Sequence, residues 1–354
     1  MLHIHNGDSA ANSAKQSSLT GEHVAFREAL IDGPTPAGLS RDDWRRLRAQ
    51  HLADSYEVDF VECERDLLAQ EELLARSTEQ DEVVLWFEHD LFCQLHLIYL
   101  LAWFAGSSWQ TLETHALPRN ATDLIASPEQ TTKTKLSLIC IGEFPGKQNF
   151  RGLGELNAEE LASLFPKRQP VTLQQLNLGA AAWQAYCSSD PTAIEALLNE
   201  DTSALPFLRV ALQAHLRRFP AVENGLGRIE NRALRLIDEG LNTFSDLFQR
   251  FGHAEPVYGL GDAQFWLALR RMIVVVEPLI EASDIPPASL DQPLTPEIVQ
   301  QTKFRLTPAG LAVLNNEVDF VTLNGIDQWL GGVHLEASGR RWRWDENSGH
   351  LKSQ

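Results

Sequence analysis

Three short strand-like segments, the first alternating apolar and polar residues and the other two mostly apolar, constrain the fold of this chain most, and polar or glycine residues follow each of them at once. Leu2–Asn6, Val83–Phe87 and Leu136–Ile141 have the length and composition of β-strands. The last two contain no charged residue, as expected for strands whose two faces are both covered. Helical patterns separate the runs. The sequence therefore predicts an open, mostly parallel sheet in a Rossmann-like α/β domain over residues 1–150.

Beyond residue 150 the pattern changes to successive helices. Asn157–Glu160 has the composition of a capping box, and helical segments follow over Thr172–Cys187, Pro191–Leu198 and Leu205–Phe219. These patterns predict a helical region over residues 151–222.

Residues 224–315 show the pattern of a winged-helix domain. Three helices are expected, beginning near Arg228, Thr243 and Asp262, followed by an apolar strand and a proline-rich excursion. Leu306-Thr307-x-x-Gly310 is a phrase common after the wing of such domains. With the short strands expected from Trp329 to Trp344, these patterns predict a winged-helix-like C-terminal domain over 223–354.

The charge of the chain bears on its partners. A formal net charge of −18 argues against non-specific binding to nucleic acid or to anionic membranes. Residues 221–320 hold eight Lys and Arg against fourteen Asp and Glu, a net of −6, so we expect the winged-helix region to contact protein rather than DNA. Arg340-Arg341-Trp342-Arg343-Trp344 is the one dense basic and aromatic run, and it predicts a stacked β-edge.

Several absences in the sequence indicate a cytoplasmic protein. No apolar run approaches the ~20 residues of a membrane span, and the first residues do not have the pattern of a signal peptide. The four cysteines are scattered and lack metal-finger spacing, which favours reduced thiols; they are Cys63, Cys93, Cys140 and Cys187.

Polar residues follow the predicted strands where parallel strands would bring them to one edge of the sheet. Catalytic roles are predicted for Glu88, His89 and Asp90. Ligand-binding roles are predicted for Asn6, Gly7, Asp8, Ser9, Arg27 and Glu143. We expect Asp8, Ser9 and the Glu88–Asp90 triplet to surround one concavity on adjacent strands.

The carboxylates at these strand ends allow two kinds of chemistry. Asp8, Glu88, Asp90 and Glu143 around His89 can bind a divalent cation, with Asp8 and Asp90 as its ligands. They can equally hold a base for proton transfer, because crowded carboxylates have raised pKa values. The alternative is that Asp8 and Asp90 are helix N-caps.

Two further motifs lie near this edge. Gly7-Asp8-Ser9 stands where GDSL-type esterases keep their nucleophile, but Ala10 replaces the Leu and the chain contains no Asp-x-x-His. Ser9 is therefore expected to contact an anion or to cap the helix. Gly152-Leu153-Gly154 lacks phosphate-loop spacing and predicts a turn passing over the site, with Lys147 and Arg151 as nearby positive charges.

Several specific phrases are spread over nearly the full length: His3-Ile4-x-Asn6-Gly7-Asp8-Ser9, Leu85-Trp86-Phe87-Glu88-His89-Asp90-Leu91-x-x-Gln94-Leu95, Ile141-Gly142-Glu143-Phe144, Gly152-Leu153-Gly154-x-Leu156 and Leu323-Asn324-Gly325-Ile326-Asp327-x-Trp329-Leu330-Gly331-Gly332-Val333-His334-Leu335. These phrases resemble bacterial proteins of the domain-of-unknown-function family 1835. The resemblance implies the domain layout and a bacterial cytoplasmic setting, and it implies no activity.

Two functions remain open from the sequence. One is a hydrolase acting on an anionic small molecule or nucleotide at the strand-edge site, with a divalent cation. The other is a non-enzymatic regulator that senses a ligand there and relays its state through the winged helix to a protein or DNA partner. The crowded carboxylates favour the enzyme, because an anion sensor gains nothing from them.

Overall fold

The computed structural model describes residues 1–106, 134–283, 302–336, 339 and 342–353. The strands in these ranges are β1 (Leu2–His5), β2 (Glu22–Ala25), β3 (Gly33–Pro34), β4 (Glu82–Glu88), β5 (Lys135–Ile141), β6 (Gln169–Pro170), β7 (Ile280–Ser283), β8 (Lys303–Leu306), β9 (Asp327–Gly331), β10 (Val333–Glu336), β11 (Trp342–Asp345) and β12 (His350–Ser353). The helices are α1 (Asp8–Lys15), α2 (Arg41–Tyr56), α3 (Phe60–Arg76), α4 (Leu91–Gly106), α5 (Ala158–Leu164), α6 (Leu173–Tyr186), α7 (Thr192–Leu198), α8 (Leu208–Leu216), α9 (Arg228–Asp238), α10 (Phe244–Ala254), α11 (Asp262–Ile273), α12 (Pro308–Leu314) and α13 (Phe320–Asn324).

The main sheet has five strands in the order β2-β1-β4-β5-β6. β1 is parallel to both β2 and β4, β4 is parallel to β5, and only the short edge strand β6 is antiparallel. The predicted mixed α/β fold with a mostly parallel sheet is confirmed. The pairing of β1 with β4 brings the carboxyl ends of these two strands side by side.

The central strand β4 is buried along its whole length, which explains its apolar sequence. Val83, Leu85 and Phe87 pack into a core shared with α4, while Val84 and Trp86 pack into a second core beneath α1. This alternation follows from the two-residue period of a strand. α4 in turn packs between the sheet and α6, so most of its side chains are buried.

The C-terminal segment returns to the N-terminal part of the chain. β3 pairs in parallel with β9, with Gly33 opposite Leu330, and the Tyr186 hydroxyl donates a hydrogen bond to the Leu30 carbonyl at 2.7 Å. A single apolar core contains residues from both ends of the sequence, from Leu2 to Leu351. These contacts cross the boundaries at 150 and 222, so the division into three domains stays a prediction.

Within the predicted winged-helix region, the helices α9, α10 and α11 are followed by the antiparallel pair β7 and β8. Thr243 caps α10 by accepting a hydrogen bond from the Asp246 amide, and it also forms a bridge with Lys303 at the start of β8. Thr307 caps α12 in the same way, through the amide of Gly310. Residues 284–301, which join β7 to β8, lie outside the described residues.

Some sequence-based expectations concern parts of the chain that are not described. These are the proline-rich excursion that follows β7, and Arg340 and Arg341 of the basic and aromatic run. Among the helices in the described ranges, none combines the length and apolar character needed to cross a bilayer.

Candidate functional site

The turn after β1 lies against the end of β4. Beyond β1 itself, the Asn6 amide donates to the Trp86 carbonyl at 3.2 Å, which keeps the turn beside β4. Gly7 has a φ of 101°, a conformation that favours glycine, and a Cβ added there would find no atom within 4 Å. The turn therefore borders open space at the carboxyl edge of the sheet.

Helix α1 begins at this turn without a side-chain cap. Its N-cap residue is Gly7, and Asp8 is the first helical residue, so the expectation that Asp8 caps the helix is wrong. An uncapped helix start presents backbone N–H groups and a partial positive charge, which favour an anion. The Ser9 side chain is exposed at the same place, and its hydroxyl donates to the Gly154 carbonyl at 2.9 Å.

Asp8 and Arg27 form an ion pair at the rim of this open space. Arg27 Nη2 lies 2.6 Å from Asp8 Oδ1, and Arg27 Nε lies 3.0 Å from Asp8 Oδ2. These hydrogen bonds from Arg27 hold the pKa of Asp8 below its ordinary value. Both side chains are exposed. The structure thus places the Arg27 guanidinium beside the start of α1. Asp8 pairs with Arg27 and does not join the carboxylates at the end of β4.

The residues that do meet at the end of β4 are Glu88, Asp90 and Cys93. All three are buried, and one ligand atom from each lies within 4.8 Å of the others. The Asp90 carboxylate accepts a hydrogen bond from the Cys93 amide at 2.9 Å, so Asp90 caps α4, as the alternative interpretation proposed. Cys93 was missed from sequence, although its position three residues after an N-cap Asp is a usable signal.

Two hydrogen bonds hold the Glu88 carboxyl group. The Cys93 thiol donates to Oε2 and the Leu153 amide donates to Oε1, each at 2.6 Å. Burial and the negative charge of Asp90 raise the pKa of Glu88 to about 8, and burial also raises the pKa of Asp90. Two carboxyl groups this close and this buried do not both ionise at neutral pH. The Glu88–Asp90 pair therefore holds a proton.

Asn6 connects this buried pair to the β1–α1 turn. Its side-chain amide contacts the Cys93 sulfur, and its Oδ1 lies 2.6 Å from His96 Nδ1 on α4. Asn6 therefore contacts Cys93, which in turn donates to Glu88, so a movement of the β1–α1 turn would reach the Glu88 carboxyl group through Cys93.

The other predicted residues lie around this group rather than in it. His89 stands at the same strand end, with its ring 6.0 Å from that of Phe207 and a buried Nδ1 that finds no hydrogen-bond partner among the described residues. Glu143 is exposed after β5. The predicted cluster of four carboxylates around His89 is therefore corrected: Asp8 pairs with Arg27, Glu143 faces solvent, and Cys93 joins Glu88 and Asp90.

The donor set at Glu88, Asp90 and Cys93 suits a borderline divalent cation. Two carboxylates with a thiolate match Zn²⁺ better than Mg²⁺, which prefers oxygen ligands alone. A bound cation would replace the proton of the carboxyl pair and that of Cys93, whose pKa burial raises well above its ordinary value. Asp90 fits the predicted metal role, and Asp8 lies outside this group.

The chain matches no protein-family model, and no curated protein matches it.

Proposed function

We propose that the chain is a hydrolase that acts on an anionic small molecule, such as a nucleotide, at the carboxyl edge of β1 and β4. One observation carries the proposal: two buried carboxyl groups, with oxygens within 4.8 Å of each other, stand beside a helix start open to an anion. Strongly perturbed pKa values, such as that of Glu88, concentrate at catalytic sites. The resemblance to family 1835 and a cytoplasmic setting belong to the same proposal, consistent with four unpaired cysteines.

Each part of the edge has a role in this proposal. The N-terminal amides of α1, the Ser9 hydroxyl and the Arg27 guanidinium bind the anionic group. The Glu88–Asp90 pair donates or accepts the proton of the hydrolytic step, because burial and the charge of Asp90 raise the pKa of Glu88 to about 8. If Glu88, Asp90 and Cys93 hold a divalent cation, the cation replaces that proton and would supply an activated water in place of acid–base catalysis by the pair.

Release of phosphate from a panel of nucleotides and phosphate esters tests the proposal, with Zn²⁺, Mn²⁺ or a chelator added. Glu88→Gln should lower the rate by about 10²-fold or more, since a positioned general acid or base contributes on that scale. Glu72→Gln, which neutralises an exposed carboxylate on α3, is the matched control and should leave the rate unchanged. Turnover that survives Glu88→Gln would remove the carboxyl pair from the chemistry.

A second candidate is the ligand-sensing regulator, and one contact favours it. Gly259 lies against Asp90, so the turn between α10 and α11 of the predicted winged-helix region adjoins the carboxyl pair directly. A ligand that changed the charge of the pair would act on α11 through this turn. Nucleotides that raise the melting temperature without being consumed would favour the regulator over the enzyme.

A further inference from the structure

The Glu88–Asp90 pair is closed off from solvent by two thin covers. One is the strap, residues 151–155, in which Leu153 donates to Glu88 and a Cβ at Gly152 would lie 2.8 Å from Glu88 Oε1. The other is the α10–α11 turn, residues 255–261, where a Cβ at Gly259 would lie 2.1 Å from Asp90 Oδ1. Only 4% of Glu88 and 5% of Asp90 is exposed, so no ligand reaches the pair while both covers are in place.

The two covers are connected to each other through α10. Arg151 Nη2 of the strap lies 2.9 Å from His253 Nε2 near the end of α10, and a Cβ at Gly252 would lie 3.5 Å from Arg151 Nη1. The α10–α11 turn follows directly after this part of α10. Movement of the end of α10 would therefore displace the strap and the turn together.

We propose that the strap and the α10–α11 turn form one lid, which opens as a unit to admit ligand to the Glu88–Asp90 pair. The lid would give access to the proposed active site, so its role depends on the proposed function.

The rim of the closed lid is weakly held, whereas Leu153 and Tyr258 are buried and anchor it, and Arg228 lies 2.6 Å from Glu255 of the turn. Its contacts at Arg151, His253 and Ser9 are exposed side-chain hydrogen bonds, which contribute little against competition from water. Closure also leaves the Tyr258 hydroxyl buried with no hydrogen-bond partner among the described residues, and opening would let water reach it. Opening therefore also exposes the Leu153 and Tyr258 side chains, but it costs less than global unfolding because the rest of the two cores stays packed.

Alkylation of cysteines by iodoacetamide, followed by peptide mass spectrometry, measures the opening without any substrate. Cys93 lies beneath the lid, bonded to Glu88, whereas Cys187 is equally buried at the end of α6. Local opening labels Cys93 alone, and global unfolding labels both. The rate at Cys187 in the same sample is therefore an internal control.

The decisive variant is Gly259→Ala, whose methyl group would displace the turn from Asp90 and should raise the Cys93 rate about tenfold or more relative to Cys187. Gly240→Ala is the matched control: its φ of 97° strains the backbone as well, but nothing lies within 4 Å of the added Cβ. It should leave the Cys93 rate unchanged. If Gly259→Ala does not fold, His253→Ala decides, because it removes the partner of Arg151 and should also raise the rate at Cys93 alone.

Equal Cys93 rates in Gly259→Ala and Gly240→Ala would overturn the lid, as would Cys93 and Cys187 labelling that rises in parallel. Where only His253→Ala folds, a Cys93 rate equal to that of the wild type would do the same. The labelling experiment needs no turnover. The proposed hydrolase activity can therefore be absent while the labelling shows a lid, and the activity can be present while the labelling shows no lid.

Discussion

His5 Nε2 and His23 Nδ1 lie 3.0 Å apart on the adjacent strands β1 and β2, and their surroundings allow only His5 to donate. His23 Nε2 faces the Leu19 carbonyl, which only accepts, so its Nδ1 is free to accept from His5. His3 is held in the same way, because the Trp86 indole donates to its Nδ1 at 3.1 Å. All three buried imidazoles are therefore neutral.

We expect this histidine cluster to make the fold sensitive to acid. Burial, then the neighbouring imidazoles, lower the pKa of His5 to about 3, and burial lowers that of His3 to about 4. Lys15 and the N-terminal amine add repulsion, and Glu82 opposes it at His3. The unfolded chain binds more protons between about pH 6.5 and about pH 4, so stability falls as the pH is lowered through that window.

Urea unfolding at several pH values measures this loss. Each histidine contributes up to about 1.4 kcal/mol per pH unit within its window. His5→Gln should flatten the dependence, while His350→Gln, at an exposed position on β12, should not. Parallel pH profiles for wild type and His5→Gln would show that the cluster does not carry the effect.

The Glu88–Asp90 pair should make the stability of the fold depend on pH in the opposite direction from the histidine cluster. The pKa of Glu88 is raised from 4.5 to about 8, so its contribution to stability is present below about pH 4.5 and is lost as the pH rises through about 8. Glu88→Gln, which stays neutral and can still accept from Leu153, should gain melting temperature relative to wild type at about pH 8.5 but not at about pH 5. Glu143→Gln, at the exposed end of β5, should show no such crossover; if it matches Glu88→Gln, the crossover does not come from the buried pair.

The buried Arg48 should contribute strongly to stability. Its guanidinium donates to Glu28 Oε1 at 2.7 Å and to the carbonyls of Asp32 and Ala29, which ties α2 to the segment that carries Arg27 and β3. Arg48→Met leaves the Glu28 charge buried without its partner and should cost about 3–5 kcal/mol in chemical denaturation. Arg46→Met, exposed on the same helix, should change stability by less than about 1 kcal/mol. Similar losses in the two variants would contradict the assigned role.

The predicted winged-helix region should not bind DNA. Its third helix, α11, begins with Asp262, and the guanidinium of Arg271 at its far end is paired with Glu230 at 2.8 Å. In an electrophoretic mobility assay at low salt, where attraction to phosphate is least screened, the full chain at micromolar concentration should leave duplex DNA unshifted. Tight binding that weakens steeply with salt would make the regulator the leading candidate.

The sequence by itself determined the features that depend on near neighbours. The apolar run of β4 specifies a strand buried on both faces, because in the sheet its side chains alternate between two cores. Thr243 and Thr307 start helices through amides three residues away, so their caps follow from local spacing. The convergence of strand ends was equally foreseeable, since parallel strands share one carboxyl edge.

Only the tertiary structure decided which of those strand-end residues act together. Whether Glu88 keeps its proton depends on burial beneath Leu153, 65 residues away, and on the charge of Asp90. The contact of Gly259 with Asp90, and the pairing of the two-residue strand β3 with β9, bring together parts of the chain that share no local pattern. Desolvation and close packing are set by whatever fills the space around a group, and in this chain distant segments fill it.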